Sequence, residues 1–173
     1  RNETVPEEFD RLSPLGKIPV LQIGNWGIAD SAVITAFLDR QFPSDKKLYP
    51  DNPKEYANAL WFERYADTTL TEVIYKKIFF QKIIKPALLN QPTDLTIVEK
   101  AISLELPPLL TYLDQELGKK EWLADQRFSI ADIAVVVQLL ALKKAGVSLD
   151  HWKNLNKYVK NVTQQPSCLN VLS

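Results

Sequence analysis

Two short stretches carry groups arranged for binding chemistry. Asp30-Ser31 places an acid and a hydroxyl at the opening of a helical pattern, in which Val33, Ile34, Phe37, Leu38 and Phe42 recur three and four residues apart. A helix start presents unpaired N–H groups and the positive end of the peptide dipoles, so it can seat a carboxylate. Asp30 beside it offers a partner for a cation. The plain alternative is an N-cap and nothing more. Upstream stands Lys17-Ile18-Pro19. A cis bond before proline costs only ~0.5–1 kcal/mol. A cis Ile18-Pro19 peptide would turn the Ile18 N–H and C=O toward a groove, where an extended peptide could pair with them as an added strand. A trans proline at a strand start is the plain alternative, since only ~5–6% of such bonds are cis. Lys17 is either an exposed strand lysine or a cation for a ligand carboxylate.

Other reactive side chains read as structural. Ser129-Ile130-Ala131-Asp132 has the spacing of a capping box, in which serine and the acid three residues on satisfy each other's backbone N–H groups. Phe128 and Ile133 stand at the positions of a hydrophobic staple. Asp132 is therefore read as a cap worth about 1 kcal/mol rather than as a catalytic acid. Cys168 has no basic residue as its immediate neighbour and reads as an inert thiol. His151, beside Trp152, reads as a helix-start residue. One Cys and one His cannot build a Cys/His zinc site, and no metal is expected. Lys76, Lys77, Lys82 and Lys85 interleave with Phe79 and Phe80 and read as a solvated helix end.

These groups need elements to hold them. Ile18 to Ile23 reads as a strand, Gly24-Asn25-Trp26-Gly27 as a turn and Ile28-Ala29 as a brief returning strand. Pro6 to Phe9 reads as a helical turn or loop. Residues 43–53 hold Pro43, Pro50 and Pro53 without any period and read as a linker. The domains are thus 1–42 and 54–173. The second reads as helix throughout: one long helix or two abutting helices through Leu60 to Ile78, with breaks at Pro86 and Pro92. A stripe from Leu95 to Leu117 follows, kinked or split at Pro107-Pro108. Ser129 to Ala145 reads as the best-marked helix, and its stretch Ile133 to Leu142, apolar all round, is expected to make it the buried central helix. A final helix spans Lys157 to Val162 and ends at Pro166.

Composition narrows the function classes. Lys+Arg and Asp+Glu number 21 each, a formal net charge of zero, which argues against a dedicated nucleic-acid binder. A chain of 173 residues, 46% hydrophobic, needs neither disulfide nor metal to bury a core. The longest apolar stretch, Ile133 to Leu142, is about half of the ~20 residues that a membrane helix needs, so no membrane partner is expected.

In order and spacing these motifs resemble the glutathione S-transferases. Ser13-Pro14-Leu15-Gly16-Lys17-Ile18-Pro19-Val20-Leu21, followed by Asp30-Ser31, resembles the end of a glutathione-binding thioredoxin-like domain. Leu48-Tyr49-Pro50 resembles the interdomain linker, and Phe128 to Asp132 the capping motif of the helical domain. The resemblance implies the two-domain glutathione transferase fold, an α/β thioredoxin-like domain, incomplete here, followed by an all-α domain. It implies a cis Pro19, with the Ile18 backbone paired to the tripeptide. Ser31 would hold the γ-glutamyl carboxylate, Asp30 the ammonium and Lys17 the glycine carboxylate. Arg64 and Tyr65 fall on the helix that lines the family's second-substrate pocket, although core or dimer packing is preferred for Tyr65. The implied activity joins the glutathione thiolate to a small hydrophobic electrophile, a detoxification reaction of a cytoplasmic homodimer. Glutathione would be co-substrate, with no cofactor. The alternative is a non-catalytic relative used in protein assembly, as in translation-factor or RNA-polymerase-associated members. The family's opening strand-helix-strand carries its catalytic Tyr, Ser or Cys. A unit of that kind takes ~30 residues, and too few precede Ser13-Pro14. The catalytic residue is therefore expected upstream of Arg1, in a segment that completes the sheet and covers Val33, Ile34, Phe37 and Leu38.

Overall fold

The structure is a computed structural model that describes residues 7–42 and 44–172. Pro6 and Pro43, each part of an element expected above, lie outside the described residues. The chain divides into two compact units, Arg1–Tyr49 and Pro50–Ser173.

The first unit contains α1 (Glu7–Leu12), β1 (Val20–Ile23), β2 (Trp26–Ala29) and α2 (Ser31–Gln41). The strands pair antiparallel, Val20 opposite Ala29 and Ile23 opposite Trp26, around the two-residue loop Gly24-Asn25. Gly24 takes φ +59°, the positive angle that a hairpin loop with glycine first requires. The returning strand thus begins at Trp26 rather than Ile28. Trp26 is fixed by its ring, 4.9 Å from that of Phe37. Gly27 lets α1 lie on the hairpin, because a Cβ there would stand 2.3 Å from Leu12 Cδ2. The first strand starts at Val20 rather than Ile18, since Pro19 has no N–H to give a ladder. Ile34 of α2 is buried, while Val33 is 45% exposed. The far edge of β1 pairs with no strand among the described residues. Part of the expected linker folds back onto this unit. Asp39 accepts from the Leu48 and Tyr49 N–H groups at 2.7 and 3.2 Å.

The second unit is helical. Asn52 caps α3 (Pro53–Arg64) by accepting from the Lys54 and Glu55 N–H groups, and Pro53 takes the first turn, where no N–H is needed. The rod continues unbroken as a π-helix, Tyr65–Ile84, and as α4, Lys85–Leu88. It is one helix rather than two, and Pro86 sits within its last turn rather than at a break. Asp94 caps α5 (Leu95–Lys100), and a π-helical turn, Ala101–Glu105, leads into α6 (Leu106–Leu117). Pro107-Pro108 fall where π bonding gives way to α, in the first turn of α6. Next come α7 (Ile130–Lys144), α8 (Lys153–Thr163) and α9 (Pro166–Leu172). Pro166 therefore opens a further helix instead of ending the last one. The centre of the unit is α7 packed on α3, α8 and the π-helix. Leu139, Leu142, Leu70, Ile74 and Leu113 are fully buried there, each contributing about 1.5–3 kcal/mol. Val137 is 56% exposed, so α7 is not enclosed all round; its neighbours leave one strip open.

Candidate functional site

The hairpin brings the two reactive stretches together. Its register sets Pro19 opposite Asp30, and the Asp30 N–H donates to the Pro19 carbonyl at 3.2 Å. The Ile18–Pro19 peptide is cis. Ile18 is 66% exposed, and among the described residues neither its N–H nor its C=O takes a hydrogen bond. The Ser13 hydroxyl, buried, donates to the Lys17 carbonyl at 2.8 Å and anchors the approach to this bond. Asp30 has φ +88°, a region that non-glycine residues rarely occupy and that costs about 1–3 kcal/mol. There it caps α2, accepting from the Ala32 N–H through Oδ1 at 3.2 Å. Its other oxygen, Oδ2, takes Lys17 Nζ at 2.5 Å. That hydrogen bond and the lysine charge hold the Asp30 carboxyl below the usual carboxylate range, helped by the Val33 and Ala32 N–H groups. Ser31 is exposed at the first position of α2, and no group among the described residues takes its hydroxyl. An unpaired peptide unit, a hydroxyl at a helix N-terminus, a strained acid and a basic side chain thus share one end of the hairpin. Such a set can hold an extended zwitterionic peptide.

A family model described as the glutathione S-transferase N-terminal domain matches residues 2–41, and one described as the C-terminal domain matches residues 77–166. The chain belongs to the glutathione S-transferase family. Glutathione S-transferase 3 of Schizosaccharomyces pombe is 26% identical over 175 residues, a match that spans 94% of this chain and 69% of that protein. Two solved transferases share the two-domain fold. Glutathione transferase F7 of Populus trichocarpa has a TM-score of 0.86 at 22% identity, over 96% of this chain and 78% of that one. A glutathione S-transferase-I bound with lactoylglutathione has a TM-score of 0.84 at 24% identity, over 95% and 78%. The short sheet with its flanking helices is thus the family's thioredoxin-like part, and the helical unit is the family's C-terminal domain.

In the helical unit Ser129 and Asp132 are structural. Ser129 and Asp132 form a capping box at the start of α7. The Ser129 N–H donates to Asp132 Oδ2 at 2.8 Å and the hydroxyl to the same oxygen at 3.2 Å. Asp132 Oδ1 also accepts from the Leu123 N–H at 2.9 Å and the Tyr158 hydroxyl at 2.7 Å. Burial pushes the Asp132 carboxyl upward, against the pull of these donors, and pushes the Tyr158 hydroxyl well above its ordinary range. Asp132 is 0% exposed, so no substrate reaches it. The Leu123 and Tyr158 contacts lie 9 and 26 residues from Asp132 and have no local sequence signal. Phe128 stands edge-on to Trp122, ring centroids 5.5 Å apart.

Tyr65 donates to the Leu109 carbonyl at 3.3 Å and meets Tyr112 edge-on at 5.4 Å, which is internal packing between α6 and the long rod. Arg64 is exposed. Cys168 is half-buried against the core, and His151 precedes the Trp152 cap of α8. Lys76 pairs with Glu72 and Lys77 with Glu105. Among the described residues no group of His, Cys, Asp and Glu could hold a metal ion. No described helix is long and apolar enough to cross a membrane.

Proposed function

We propose that this family member binds glutathione at the open end of the hairpin and joins the whole tripeptide, through its thiolate sulfur, to a small hydrophobic electrophile. Ile18 would pair with the extended tripeptide, Ser31 would hold the γ-glutamyl carboxylate, Asp30 the ammonium and Lys17 the glycine carboxylate. Once the thiol proton is lost, the thiolate forms the carbon–sulfur bond as the electrophile's leaving group departs or its double bond opens. Glutathione is co-substrate and no further cofactor is invoked. The protein would act as a cytoplasmic homodimer in detoxification. The observation that carries the reading is Asp30, a non-glycine residue at φ +88° beside the unpaired Ile18 backbone. Strain of this kind persists where the surrounding structure holds it, and it gathers at binding sites.

Calorimetry with glutathione tests this. Ser31→Ala should weaken binding by about 1–3 kcal/mol, the range for a hydrogen bond to a charged group or for a buried partner left unpaired. Unchanged affinity would remove Ser31 from the site. Retention on immobilised glutathione without turnover of any electrophile would favour the assembly-module reading instead.

A further inference from the structure

A cavity of about 520 Å³ opens within the helical unit, between the end of α6 and one face of α8. That volume lies in the ~300–1,000 Å³ range of small-molecule sites. On α8, Asn154, Lys157, Tyr158 and Asn161 stand three and four residues apart and so share the face that lines it. The chain from Leu117 to Glu121 supplies the other wall. The two walls are tied together. Asn154 Nδ2 donates to the Asp114 carbonyl and to Asp114 Oδ2, each at 3.1 Å, and the Leu155 N–H donates to Asp114 Oδ1 at 3.0 Å. Gly118 permits this approach, since a Cβ there would stand 3.2 Å from Asn154 Nδ2. On the core side Leu117 and Tyr158 are buried, and the Tyr158 hydroxyl is spent on Asp132. The cavity is thus shaped before any ligand arrives.

Its charge is unbalanced. Lys119, Lys120 and Lys157 line it against one carboxylate, Glu121. Lys119 and Lys120 share a single partner, Glu116, at 3.7 and 3.3 Å. Among the described residues the side chains of Lys157 and Asn161 take no ion pair or hydrogen bond. Asp114 does not offset the lysines, because both its oxygens are committed to the positive end of α8. A phosphate has three oxygens to spread over ammonium groups from both walls. The amides and Glu121 add acceptors as well as donors, which suits hydroxyl groups. The aromatic ring in the lining, Tyr158, is 3% exposed and offers no face on which a nucleobase could stack. We infer that this cavity is a binding site for a phosphorylated polyol such as a sugar phosphate, with Lys157 on the phosphate and Asn161 on a hydroxyl. The inference stands apart from the glutathione reading.

Calorimetry on the full chain with glucose 6-phosphate, glucuronate, glucose and inorganic phosphate tests this. Glucose 6-phosphate should bind at a single site, and the other three should bind more weakly. Nuclear magnetic resonance should place the shifted backbone signals at 117–121 and 154–161. Lys157 is exposed and Asn161 half-buried, so their variants should fold, and circular dichroism checks it. Lys157→Gln should weaken binding about tenfold, as for a lost hydrogen bond to a charged group, and Asn161→Ala severalfold. Lys153→Gln, on the same helix but outside the lining, should bind as wild type does. Equal losses in Lys153→Gln and Lys157→Gln would reduce the site to diffuse surface charge and overturn the inference. Inorganic phosphate or glucuronate binding as tightly as the ester, or no saturable binding of the ester at millimolar concentration, would overturn it too.

Discussion

Asp30 and Asp132 carry the same carboxylate to opposite ends. Asp30 is held below the usual carboxylate range by an exposed lysine and sits in a strained backbone conformation at an open surface. Asp132 is sealed off, and its two oxygens gather donors from three chain segments. Removing it leaves the Leu123 N–H, the Ser129 N–H and the Tyr158 hydroxyl buried without an acceptor, at about 1–3 kcal/mol each. Asp132→Ala should thus lower unfolding stability by about 3 kcal/mol or more, beyond the ~1 kcal/mol of a simple cap. Denaturant titration measures it, and a loss no larger than that of a cap would mean the tertiary contacts contribute nothing. Tyr65 makes a pH prediction. Burial pushes its hydroxyl up to about 12, and nearby Tyr112 adds to the shift. An unfolded tyrosine titrates near ~10. Its folded pKa is the higher one, so its contribution is complete below pH ~10 and is lost as pH rises toward the folded value. Melting temperature should fall over that window, and less steeply in Tyr65→Phe. Identical slopes would mean that Tyr65 ionisation does not matter.

Among the elements, the hairpin is the piece that makes a site. With Ile23 opposite Trp26, the same register carries Pro19 to Asp30, and Lys17 lies two residues beyond. Both reactive stretches were legible as motifs, but their meeting depends on where the turn falls, and the four turn-prone residues Gly24 to Gly27 left that open. Packing chose: Trp26 is drawn to Phe37, and Gly27 is where Leu12 crosses the strand. Gly27→Ala should therefore cost about 1–3 kcal/mol through overpacking. The cost should shrink in a Leu12→Ala background, where the clashing methyl is gone; strictly additive losses in that cycle would place the strain elsewhere. The start of α8 shows the same limit. Its N-cap residue, Trp152, makes no side-chain cap; instead Asp114 of α6, 41 residues away, accepts from the Leu155 N–H at 3.0 Å. Cap rules that read only neighbouring residues cannot see such a partner.

On the scale of the molecule, the two units carry several exposed large apolar side chains. Leu15 is 82% exposed in the first, and Leu104 67% and Trp61 56% in the second. Single exposed apolar side chains are ordinary on a protein surface; the expectation of association rests on a two-fold pair being the commonest closed assembly of a soluble chain. We expect a homodimer that buries at least ~1,200 Å² in total. Light scattering at micromolar concentration decides it, and a monomer mass would end the expectation.

By itself the sequence determined the family and the class of most segments, with α9 and the start of the returning strand as exceptions. Helical period, proline punctuation and the Ser129-to-Asp132 spacing act over a few residues, and local backbone chemistry is strong enough to be read there. So were the residues of the candidate site, because Ile18-Pro19 and Asp30-Ser31 are short motifs. Tertiary structure decided what those residues face. Pairing Lys17 with Asp30, closing Asp132 under Leu123 and Tyr158, joining the long rod across Pro86 and opening α9 at Pro166 each depend on contacts or on a continued helix that proline alone does not forbid. Such partners are close in space and distant in sequence, and no local propensity selects them.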